Sequence, residues 1–410
     1  MNGFLGEANV ISLGIDQLLN SKPHLERLKA SRVSLIAHPA SMTADFRNSI
    51  DALFASGVKL ASAFGPQHGL RGEKQDNMQE TADYIDDVYK IPVFSLYGEV
   101  RRPNAHMLAT FDIVLIDLQD VGTRIYTFLT TLLYVMEECA KAGKEVWVLD
   151  RPNPAGRPVE GSFLRPGWVS FVGAAEGLPM RHGLTLGEAA LWFKKTLKVD
   201  CALEVIKMEN YEPTKGPGYG WPEGELSWVN PSPNAANVSM ARAFPGTVLI
   251  EGTTLSEGRG TTRPLETLGA PELDMTRIMK EMSRLGADWM KGCHLRPTFF
   301  LPTFQKHAGY ICSGFQIHVD DRSYKHEVFK PYRLVSLWLK AIRNMYPDYP
   351  IWRDFHYEYE KTRLAFDLIN GGPQLREWVD NRSAVCADLD KICVPDERAW
   401  SESRREFLLY

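Results

Sequence analysis

The chain has little that would tie it to a nucleic acid, a membrane or an oxidising compartment. Its 47 basic and 51 acidic side chains leave a net charge of −4, so there is no basic footprint for a polyanion. No window approaches the roughly 18 apolar residues of a membrane span. The stretch from Met1 to Asn20 also lacks the basic and apolar segments of a secretory signal. The six cysteines (Cys139, Cys201, Cys293, Cys312, Cys386, Cys393) never form CxxC. Sparse thiols of this kind favour a reduced, cytoplasmic protein and supply no zinc site. No GxGxxG follows a strand to open a helix, and GxxxxGK[ST], GxSxG and HExxH are all absent. Dinucleotide and P-loop sites, nucleophile-elbow hydrolases and zinc peptidases therefore have no support. Nothing has metal-ligand spacing, although His38, His68, His182 and Asp120 could converge from separate turns.

What is present is an ordinary globular composition, 44% hydrophobic and 24% charged over 410 residues, enough chain for about two or three domains. Apolar runs at Val33–Ala37, Val58–Phe64, Ile91–Leu96, Ile113–Leu118 and Val146–Leu149 alternate with helical patterns, the clearest from Ile125 to Ala142. Near-continuous apolar strands separated by helices predict an α/β fold, a Rossmann-like, mostly parallel sheet covered on both faces. Thr185 and Glu188 form a capping box, which makes Glu188 structural, and Leu203–Met208 reads as a further strand. The loop-like stretch from Tyr211 to Asn237 marks a junction. It divides the chain into a Rossmann-like domain at 1–235 and a smaller α+β domain at 236–410. The second part is expected to hold helices near 273–285, 331–344 and 361–370, strands at Phe299–Thr303 and Tyr310–Val319, and a terminal helix near 396–408.

Each of the first five strands ends in a polar turn: His38-Pro39, Gly65-Pro66-Gln67-His68-Gly69, Tyr97-Gly98-Glu99, Gln119-Asp120-Val121-Gly122 and Asp150-Arg151-Pro152-Asn153. Ligands of open α/β sheets sit outside the carboxyl ends of the strands, so these turns describe the rim of a cleft. A second candidate element is Ser256-Glu257-Gly258-Arg259-Gly260-Thr261-Thr262-Arg263. Its glycines allow close backbone approach, and its two guanidinium groups suit a carboxylate or phosphate. Carboxylates for acid–base work are Glu73, Asp76, Glu99, Asp120, Asp150, Glu251 and Glu257, and Tyr97, Tyr126, Trp221 and Trp228 could stack on a sugar ring.

Taken in order, GPQHGLRG (65–72), FSLYG (94–98), DLQDVGTRIYTF (117–128), VLDRPNPAG (148–156), RHGLTLGE (181–188), NPSPN (230–234), FPGT (244–247) and EGTTLSEGRGTTRPLE (251–266) resemble the exo-β-N-acetylmuramidase (NamZ-like) family of glycoside hydrolases. The resemblance implies a Rossmann-like domain and a smaller domain with the active site between them. It also implies release of a terminal N-acetylmuramic acid from peptidoglycan fragments without a cofactor. The partner so implied is a small amino sugar or muropeptide, with neither nucleic acid nor membrane involved and homodimerisation left open.

One departure bears on mechanism. The family reads Pro-Glu-His-Gly where this chain has Gln67, and an amide cannot act as an ordinary general acid. Glu73 is the first expected substitute and Glu257 the second. His68, Gln67, Asp120 and Arg124 are expected on the N-terminal rim, with Tyr97 and Asn234 beside the substrate. Arg151, Arg259 and Arg263 would clamp the lactyl carboxylate of muramic acid. Two other readings stay open: a sugar-binding protein without hydrolysis, and an enzyme on a phosphorylated small molecule held by the Gly/Arg loop.

Overall fold

The apolar runs become the strands of one seven-stranded sheet in the computed structural model, which describes residues 10–72, 74–76 and 78–410. The strands are β1 (Val33–Ile36), β2 (Leu60–Gly65), β3 (Tyr84–Ile85), β4 (Pro92–Ser95), β5 (Ile113–Ile116) and β6 (Glu145–Leu149). A small hairpin, β7 (Glu160–Phe163) and β8 (Pro179–Arg181), precedes the last of them, β9 (Ala202–Ile206). Across the sheet the order is β3-β4-β2-β1-β5-β6-β9, parallel throughout except for the edge strand β3. The side-chain alternation of a strand divides each one between two cores. Phe64, Ile116, Val146 and Val148 face the helices Phe128–Ala142 and Leu186–Thr196. Leu35, Ala63, Leu115 and Trp147 face Gly14–Asn20 and Ser49–Ala55 on the other side. The chain winds outward from β1 through β2 to β4, then crosses back to β5. This reversal is a topological switch point, where a crevice opens at the carboxyl ends of the strands.

The second unit is built on a three-stranded antiparallel sheet of β10 (Thr267–Ala270), β11 (His294–Phe300) and β12 (Cys312–His318), with β12 central. Helices Val238–Thr247, Met275–Gly286 and Pro331–Met345 enclose a core around Phe315, Trp338 and Ile342. Two expectations shift here. The strand expected at Phe299–Thr303 runs instead over His294–Phe300, because register with β12 rather than local apolarity selects it. It is an edge strand that carries Pro297 and leaves Phe299 in solvent, as edge positions permit. The terminal helix starts at Cys386 and ends at Ser403, and it passes through Pro395. Packing of Leu389, Cys393 and Trp400 on that helix outweighs the local penalty of an internal proline.

That last helix begins in the second core and ends in the first. Leu389 and Cys393 belong to the core of the second unit, whereas Trp400 and Phe407 pack with Trp192 and Phe193. Trp400 lies edge-on to Trp192, 5.2 Å between centroids, and donates its indole N–H to the His182 carbonyl at 2.7 Å. The capping box of Thr185 and Glu188 forms as the sequence indicates, and Glu188 also holds Arg157 at 2.6 Å. Among the described residues no helix is long and apolar enough to cross a membrane. Replacing Trp400 by Ala removes the anchor of this returning helix and is expected to cost about 3–5 kcal/mol. Urea denaturation of the variant beside the wild type checks the figure.

Candidate active site

The turn after β2 is the first wall of the site. Gly65 leaves no room for a side chain, since a Cβ there would sit 2.6 Å from the Leu70 nitrogen. His68 and Gly69 both take left-handed backbone angles (φ 72° and 82°) and fold the loop back on itself. Left-handed geometry is tolerated by histidine but uncommon for it. The loop buries Gln67, whose Oε1 accepts from the Thr127 hydroxyl at 2.8 Å. This contact fixes the amide orientation, so Nε2 donates outward to Oε1 of Glu358 at 3.1 Å. Tyr97, at the end of β4, donates its hydroxyl to the other oxygen of Glu358 at 2.6 Å.

Glu358 comes from the opposite unit, on a tight turn closed by reciprocal hydrogen bonds between Tyr357 and Glu360 at 3.2 and 3.0 Å. Both central residues, Glu358 and Tyr359, have positive φ (45° and 69°) although neither is glycine. Such angles are costly for residues with side chains and collect at functional sites. Burial pushes the Glu358 carboxyl up to about 7, with nearby Glu251 adding to the rise and the bonds from Tyr97 and Gln67 opposing it. It is a carboxyl poised to hold or release a proton near neutrality.

Glu251, in the 3₁₀ turn Val248–Gly252, accepts from Arg259 at 2.7 Å and from the Tyr357 hydroxyl at 2.8 Å. Burial raises its pKa, with Arg259 acting against the rise. Arg259 also donates to Glu257 at 3.1 Å, and Lys306 Nζ lies 2.7 Å from the second oxygen of Glu257. Gln67, His68, Asn234, Glu251, Arg259 and Glu358 line one cleft between the units, of about 60 Å³. That space holds a few waters. His68 donates Nδ1–H to the Lys74 carbonyl at 2.8 Å, and burial lowers its pKa, so the neutral ring keeps Nε2 as an acceptor. Asn234 is tied to the Gln75 carbonyl at 3.0 Å. Among the described residues no group of three His, Cys, Asp or Glu side chains could hold a metal ion.

Several expected residues stand elsewhere or in other states. Glu73 lies outside the described residues. Glu257 is not an acid: burial favours its protonation, but Lys306 and Arg259 outweigh this and hold it down at about 2. Asp120 caps the next turn through Gly122 N–H at 2.7 Å and sits 3.7 Å from His182. The clamp of Arg151, Arg259 and Arg263 does not assemble. Arg151 forms a buried pair with Asp117 at 2.6 Å, and Arg263 pairs with Glu266 at 2.9 Å and Asp320 at 3.4 Å. Arg259 alone reaches the cleft. Arg124 is a strut, fully buried, donating to the carbonyls of Leu178, Ile369 and Asn370.

Profiles of the exo-β-N-acetylmuramidase NamZ family match residues 33–239 (N-terminal part) and 242–410 (C-terminal part). The chain belongs to this family. It is 37% identical to the peptidoglycan β-N-acetylmuramidase NamZ of Bacillus subtilis strain 168, over 98% of this chain and 91% of that protein. Two crystal structures of DUF1343 family proteins from Bacteroides fragilis share the fold. One has a TM-score of 0.84 at 27% identity, covering 98% of this chain and all of the other. The second has a TM-score of 0.74 at 25% identity, covering 98% and 99%.

Within this NamZ-family chain the site draws on both matched parts, Gln67 and Tyr97 from the first and Glu251 and Glu358 from the second. Glu358, Tyr357 and Lys306 were not legible as site residues. The one available signal was the alternation of aromatic and acidic residues from Tyr357 to Glu360. The raised Glu358 carboxyl carries a linkage with definite sign. The folded protein keeps a proton that the unfolded chain, with an ordinary value of 4.5, releases. Stability from this group is therefore full below the ordinary value and lost as pH rises through about 7. A Glu358→Gln variant lacks this loss, so its stability relative to wild type should grow by up to about 3 kcal/mol between about pH 5 and pH 8. Urea titrations of both proteins across that range measure it.

Proposed function

We propose that the protein is a glycoside hydrolase that releases terminal N-acetylmuramic acid from peptidoglycan fragments, with Glu358 as its general acid. The observation that carries this reading is the Glu358 carboxyl, raised to about 7 and held across the cleft by Gln67 and Tyr97. Membership of the NamZ family and the named activity of the Bacillus subtilis relative supply the substrate class.

Glycosidic cleavage requires a proton on the departing oxygen and usually a second carboxylate at the anomeric centre. Glu358 holds such a proton near neutral pH. Once it has been donated, the hydroxyl of Tyr97 and the amide of Gln67 stabilise the carboxylate left behind, one on each oxygen. Gln67 therefore orients the acid and does not replace it, so this chain's departure from the family's Glu at position 67 leaves the cleft with an acid. Glu251, held by Arg259 and Tyr357, is the second carboxylate. His68 and Asn234 offer an acceptor and an amide to the ring substituents. The six free thiols suit a reducing compartment such as the cytoplasm.

Glu358→Gln should lower turnover of a muramic acid disaccharide by about 10²- to 10⁴-fold. Turnover of the 4-nitrophenyl glycoside, whose leaving group needs little protonation, should fall much less. Equal losses on both substrates would remove the acid assignment. Tight binding by the wild type without any turnover would instead identify a sugar-binding protein of the same fold.

A further inference from the structure

A second cavity, of about 500 Å³, shares Glu358 with the first cleft. This volume lies within the range of small-molecule sites. Phe171 and Tyr359 give it aromatic faces, packed edge-to-face at 6.0 Å, the type of surface on which a sugar ring rests.

The substrate class of the proposed function is an acidic sugar, and none of the arginines expected to read its charge is available. Arg151, Arg259 and Arg263 are each bound to carboxylates of the protein itself. Two arginines in the second cavity are also engaged: Arg102 with Glu137 at 2.5 Å, and Arg363 with Glu360 at 2.6 Å. Arg101 differs. Its guanidinium lies 3.9 Å over the ring of Tyr359 and makes one hydrogen bond, to the Gly98 carbonyl at 3.0 Å. Among the described residues no carboxylate pairs with it. Of the acids that line the cavity, Glu360 is held by Arg363, Glu358 by Gln67 and Tyr97, and Glu99 stands exposed at the rim. A guanidinium stacked on an aromatic ring is oriented, and its remaining N–H groups present a planar fork suited to a carboxylate.

We propose that this cavity is a carboxylate subsite and that Arg101 reads the acidic substituent of the saccharide whose glycosidic bond lies at Glu358. Placing the fork beside Tyr359, the residue after Glu358, ties recognition of the acidic group to the position of the reacting oxygen. The carboxylate is either the lactyl group of muramic acid or an acid on a peptide attached to it. The inference rests on the proposed glycosidase reading of the cleft.

Calorimetric titration tests it without turnover, using N-acetylmuramic acid, N-acetylglucosamine and an N-acetylmuramoyl dipeptide whose lactyl group is amidated. The wild type should bind at least one of the acids more tightly than N-acetylglucosamine. Arg101→Gln should weaken that acid by about tenfold or more and leave N-acetylglucosamine unchanged. Arg101→Lys, which keeps charge without the fork, should fall between. A loss seen with N-acetylmuramic acid identifies the lactyl carboxylate, and a loss confined to the dipeptide identifies the peptide carboxylate. Equal wild-type affinity for acids and neutral sugar, or unchanged acid affinity in Arg101→Gln, overturns the proposal. An active Glu358→Gln enzyme would remove the acid assignment and leave the Arg101 binding result standing.

Discussion

The contact on which the site depends is a single carboxyl gripped from across the cleft. Glu358 belongs to the second unit, and the groups that hold it, Gln67 and Tyr97, stand at the ends of neighbouring strands of the first. Each donor is itself fixed, Gln67 by Thr127 and Tyr97 by its buried position. The carboxyl thus has two well-placed partners yet stays out of water, and the balance between these effects sets its proton affinity. Two left-handed residues in a row are maintained to bring it there. The cost of that turn is evidence that its geometry matters more than its local comfort.

Much of this arrangement could be read from the chain. Strands buried on both faces announce themselves as apolar runs, and residues directly after them must lie at one edge of a parallel sheet. Gln67, His68 and Tyr97 can be placed at that edge for this reason. Glu358 was hidden because its turn uses no glycine or asparagine, so nothing local marks the reversal of the chain. Its partner carboxylate, Glu251, was visible only as one of many acids. The state of Glu257 was equally hidden, since it is decided by Lys306, some fifty residues further along the chain. A carboxylate beside a cation and one alone in an apolar wall look alike in sequence, although their proton affinities move in opposite directions.

Arginine shows the same limit from another side. In this molecule guanidinium groups serve largely as internal fasteners: Arg124 gathers carbonyls from distant segments, Arg151 bridges β5 and β6 through Asp117, and Arg333 joins Asp390 and Glu397. A rigid fork with five donors suits such work as well as it suits ligand binding. Which arginines remain for a ligand is therefore a question of subtraction, answered only once the internal bonds are known.

The returning C-terminal helix has a mechanical consequence. The two units are joined once through the long stretch after β9 and again through the helix that carries Trp400 into the first core. The hairpin of β7 and β8 reinforces the second link: Glu160 accepts from the backbone N–H groups of Tyr332 and Arg333, and Arg165 pairs with Asp396 of the returning helix. Fastened at both ends of its chain, the second unit is held in register with the first, and the turn that carries Glu358 shares that register. A loosening of the terminal helix would therefore reach the cleft, although no residue of that helix lines it.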